Sequence, residues 1–141
     1  MDWEAIETII GSKASSADEL LRAAEAVMEQ WVVAKGEVPT HDKKEGFRLL
    51  ALQRQGAVGD PSFNACRETC REAVYHFNLL QANAADSEKA AHTRLMMGLV
   101  VNHLLLFIRG KMEVAGLGEF CCASKPVRSM DVELPTSDAR G

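Results

Sequence analysis

The chain has little of what usually announces a chemistry. Aromatic residues are few, five Phe, two Trp and one Tyr in 141 residues, so a core must be built from aliphatic side chains. There is no basic excess: 16 Lys and Arg against 20 Asp and Glu leave a formal charge of −4 and a pI near 5.6. Such a balance provides no global attraction to nucleic-acid phosphates or anionic lipid. The opening residues Met1-Asp2-Trp3-Glu4 lack the basic and apolar regions of a secretory signal, and a reducing, cytoplasmic location is expected. The longest apolar window, Leu95 to Ile108, holds 14 residues and includes Asn102 and His103. A membrane-spanning helix needs roughly 20, so no transmembrane segment is expected and the window reads as a core helix.

Reaction motifs are missing too. The chain contains no Gly-x-Ser-x-Gly elbow, no phosphate-binding Gly-x4-Gly-Lys loop, no Gly-x-Gly-x-x-Gly and no His-Glu-x-x-His. The residues three before His76, His92 and His103 are Ala73, Lys89 and Val100, not the Glu that a di-iron bundle places there. His41 has Glu45 one turn away but two lysines between them, the pattern of a solvated helix start. No cofactor is implied, and catalysis has no named nucleophile or base to support it.

What the chain does have is helical periodicity. Trp3, Ile6 and Ile10 share a short N-terminal stripe that Gly11 ends. Ser16-x-x-Glu19 is a capping box, in which hydroxyl and carboxylate satisfy free backbone N–H groups reciprocally. It opens a helix with the stripe Leu20, Ala24, Val27/Met28, Trp31 that ends near Gly36. A third helix is expected from Thr40 or Asp42 to Gly56, weakened inside by Gly46. A fourth is expected from Pro61 to about Ala82, with Asp60 as its cap, and a fifth from Asp86 or Ser87 to Arg109 or slightly beyond. After Leu95 the fifth is apolar around nearly its whole circumference, so it should be central.

The fold expected is therefore all-α: a compact bundle of four main helices plus a short N-terminal one, with a central apolar helix at about 87–112. Residues 1–122 form a single helical domain in this reading, and 123–141 a flexible tail. Within the tail, Met130 to Leu134 alternates apolar and polar residues over too short a stretch to distinguish from chance.

Three function classes follow. The first is a non-catalytic adaptor or regulatory protein that binds another protein and forms a homo-oligomer through Trp3, Ile6, Ile10, Trp31, Met96 and Met97, large adaptable side chains suited to contacts. The second is a metal- or thiol-dependent sensor using Cys66, Cys70, Cys121 and Cys122. Against it, Cys66 and Cys70 lie on the same stripe as Phe63, Val74 and Phe77, where cysteine behaves as a small hydrophobe. Cys121 and Cys122 near Lys125 and Arg128 also fit the permissive pattern of acylation. The third is a nucleic-acid accessory protein using Lys43, Lys44, Arg48 and Arg54 on the third helix, diluted by Asp42 and Glu45 and without a helix-turn-helix spacing. The adaptor is preferred. Asn102 with His103 inside the apolar helix is the polar pair that must find partners if buried.

Overall fold

The computed structural model describes residues 1–117. It contains α1 (Trp3–Gly11), α2 (Ala17–Ala34), α3 (Arg48–Gly56), a 3-10 turn (Pro61–Cys66), α4 (Arg67–Ala82) and α5 (Ser87–Ala115). There is no strand element among the described residues, and the fold is all-α. The expected tail, with Cys121 and Cys122 before it, lies outside the described residues. Residues 1–108 group as one compact unit, and a second unit begins at Arg109, within the last turns of α5.

Local chemistry sets most of the helix starts. The Asp2 carboxylate accepts from the Ala5 N–H at 2.8 Å. Ser16 Oγ accepts from the Glu19 N–H at 3.1 Å while Glu19 Oε1 accepts from the Ser16 N–H at 2.8 Å, completing the capping box. Asp86 Oδ1 accepts from the Lys89 N–H at 3.0 Å and opens α5. Each bond occupies a backbone donor that the first helical turn leaves without a partner.

Two boundaries differ from the expected ones. The third helix starts at Arg48, because residues 44–47 form a tight reversal in which Lys44 and Phe47 exchange backbone hydrogen bonds of 3.0 Å. Glu45 and Gly46 turn the corner at φ of 55° and 86°, a left-handed pair that mirrors the common turn. Gly46 is thus a turn residue and not a weak point in a helix. In the fourth helix, Pro61–Cys66 winds as a 3-10 turn before α4 begins at Arg67, and the Asp60 carboxylate accepts from the Ser62 hydroxyl instead of capping the backbone.

The core forms around α2, which packs against α1, α3 and α4. Trp31 stacks on Phe63 with ring centroids 5.2 Å apart, and Phe63 meets Phe107 of α5 at 6.2 Å. The Trp31 indole N–H donates to the Gly56 carbonyl at 3.2 Å, so the polar atom of the buried ring is satisfied. From α5 the core receives Met97, Val101, Leu104, Leu105 and Ile108. Although α5 is apolar nearly all round, one face alone is buried here.

Candidate functional site

Burial reassigns the contact residues read from the sequence. Trp3, Ile6, Trp31 and Met97 are buried in the core of the single chain, so they build the fold. The reason is spacing: each shares a stripe with core positions of its own helix, and the neighbouring helices close over that stripe. Ile10 stays half-buried and Met96 is 37% exposed.

The surface that periodicity missed lies on the opposite side of α5. Leu95, Leu99 and Leu106 are 56%, 57% and 58% exposed. Together with half-buried Asn102 they form a row with spacings of four, three and four residues, the seam of a two-helix contact. His92 and His103 are exposed beside it, so the expected buried Asn102–His103 pair is an outward-facing one. By length and composition α5 is also apolar enough to cross a membrane, with 33% of its apolar window buried in the fold; the core helix of a soluble protein passes the same test of length and composition.

Leu95, Leu99 and Asn102 of this row also line a groove of about 510 Å³. Its walls are the end of α1 with the turn into α2 (Ile10 to Lys13), Leu20, and the first half of α5 from Ala91 to Asn102. The α1–α2 turn is held by Ser15, whose hydroxyl donates to the Ile9 carbonyl at 2.6 Å, and by Ser12 Oγ accepting from the Ala14 N–H at 3.1 Å.

The basic cluster divides. Arg48 faces inward: it forms an ion pair with Glu29, lies 4.0 Å from Glu25, and donates through Nε to the Thr40 carbonyl at 2.8 Å. Burial pushes the Glu25 carboxyl above its ordinary value, with the Arg48 cation acting in the opposite sense. Lys43 and Lys44 stand in the reversal before α3, not on the helix as expected. They border a groove of about 450 Å³ together with Arg54, Thr40 and Asp42. Gln55 holds this loop by accepting from the Thr40 N–H and donating to the Val38 carbonyl, both at 2.8 Å. At its tip Glu45 pairs with Arg71 at 2.9 Å, which holds the Glu45 carboxyl below its ordinary value.

Cys66 and Cys70 are buried free thiols. Cys66 donates to the Phe63 carbonyl at 3.1 Å. Its hydrogen bond to Cys70, reinforced by burial, pushes the Cys70 thiol well up, which keeps it protonated and a poor nucleophile or ligand. No group of three or more His, Cys, Asp or Glu among the described residues is placed to hold a metal ion.

The outer leucine row was visible in the sequence only as excess apolarity on α5. Nothing in the periodicity says which of two apolar faces a bundle will cover. Set against protein-family models, curated proteins and solved structures, the chain matches none.

Proposed function

We propose that this chain is a non-catalytic helical module that works through protein–protein contact, and that its first partner is a second copy of itself. The exposed row Leu95, Leu99, Asn102, Leu106 carries the reading. A row repeating at four and three residues is self-complementary when two copies align in parallel, since leucine then meets leucine and Asn102 meets Asn102.

Magnitudes set the strength of the contact. Fully burying a leucine is worth about 1.5–3 kcal/mol. Three half-exposed leucines on each of two copies therefore contribute roughly 7 kcal/mol before losses. Association costs about 4–15 kcal/mol in lost freedom, a loss as large as that gain, so the proposed dimer is weak and forms only at high protein concentration. Sedimentation velocity from micromolar to millimolar concentration should show the wild-type chain passing from monomer towards dimer, while Leu106→Glu stays monomeric. A wild-type chain that is monomeric at its highest soluble concentration removes the reading.

A further inference from the structure

We infer that the groove between the α1–α2 turn and the first half of α5 is a binding site for a single-chain anionic amphiphile, a long-chain carboxylate. This inference goes beyond self-association; Leu95, Leu99 and Asn102 belong to both surfaces, so a bound ligand competes with the dimer, and the two are separated at Leu106, which does not line the groove.

The walls have the required chemistry. Ile10, Leu20, Leu95 and Leu99 provide apolar surface for a hydrocarbon chain, and the volume of about 510 Å³ falls in the range of small-ligand sites. Lys13 and Arg94 also line the groove, and no carboxylate does. Neither cation has an ion-pair partner among the described residues. Two unpaired cations beside an apolar trough match an anionic head on an apolar tail.

Gly98 is the second observation. It sits inside α5 and lines the groove, and a Cβ built there meets nothing within 4 Å. Its φ is not positive, so neither backbone conformation nor close packing within the chain calls for glycine. Glycine is the poorest helix former after proline, and the effect of its small size here is to keep the groove open. The opposite wall is preformed, because the Ser12 and Ser15 hydroxyls hold the α1–α2 turn. A ligand would meet a shaped site without ordering it first.

The test is titration of the full chain with cis-parinaric acid, a fluorescent long-chain carboxylate, below its micelle concentration. Saturable one-to-one binding is expected, displaced by oleate and at least about tenfold less well by the neutral oleyl alcohol. Gly98→Leu should weaken binding about tenfold or more while the melting temperature holds or rises. Arg94→Glu should weaken the carboxylate and spare the alcohol, which covers the case of a misfolded Gly98→Leu. Leu106→Glu should bind at least as tightly as wild type even when it abolishes dimerisation, so failure of the groove and failure of self-association are read separately. The assignment is overturned by non-saturable binding, by equal competition from acid and alcohol, by unchanged affinity in Gly98→Leu, or by loss of binding in Leu106→Glu. Association with phosphatidylglycerol vesicles without uptake of the free acid also overturns it, in favour of a membrane surface.

Discussion

Gly56 shows how one residue carries a packing decision. A Cβ at this position would lie 2.7 Å from Phe63 Cε2 and 3.0 Å from Trp31 Cδ1, inside the stack that joins α2 to the 3-10 turn. Gly56→Ala must push Phe63 away from Trp31, and overpacking of this kind costs about 1–3 kcal/mol. Thermal unfolding should register that loss as a lower melting temperature. Glu25 offers a separate test in pH. Its carboxyl is raised by burial despite Arg48 nearby, so the fold favours the protonated acid. The stability present below the ordinary carboxylate range is lost as pH rises through the raised value. Glu25→Gln cannot ionise, and its stability relative to wild type should climb between acid and neutral pH by up to about 1 kcal/mol. Glu29→Gln, which removes the direct partner of Arg48, should instead cost about 0.5–1.5 kcal/mol at neutral pH. Matching pH profiles for wild type and Glu25→Gln in urea unfolding would contradict this account.

Among the elements, α5 carries two apolar rows on one rod. Met97, Val101, Leu104, Leu105 and Ile108 enter the core, while Leu95, Leu99 and Leu106 do not. Asn102 interrupts the outer row, and a lone Asn in such a seam fixes register and copy number at some cost in affinity. Asn102→Leu should therefore tighten self-association while broadening it, with sedimentation showing species larger than the dimer. Retention of a single, equally weak dimer would mean that Asn102 lies outside the contact. The reversal before α3 has the opposite lesson. Lys43-Lys44-Glu45-Gly46-Phe47 resembles a helix start by composition, yet Glu45 and Gly46 both adopt positive φ. Neighbouring anchors make the difference, as Arg48 and Gln55 tie residues 38–40 to α2 and α3.

For the molecule as a whole, the proposed module gains stability by partnering. If a second copy binds the folded state and not the unfolded one, mass action raises the melting temperature with protein concentration. That rise is expected for wild type and absent in Leu106→Glu, a calorimetric counterpart to the sedimentation test.

The sequence alone indicated the helical class, the capping box of Ser16 and Glu19, a fifth helix opening at Asp86 or Ser87, and the apolar stripe that carries Cys66 and Cys70. These follow from backbone donors and from periodicity, both local properties of a chain. Tertiary structure alone decided that Trp3, Ile6, Trp31 and Met97 serve the core, that Arg48 turns away from Lys43 and Lys44, and that α5 leaves one leucine row exposed. The physical reason is that burial belongs to the whole set of helices: a stripe marks which residues can be covered, and only the neighbours that pack against it determine which ones are.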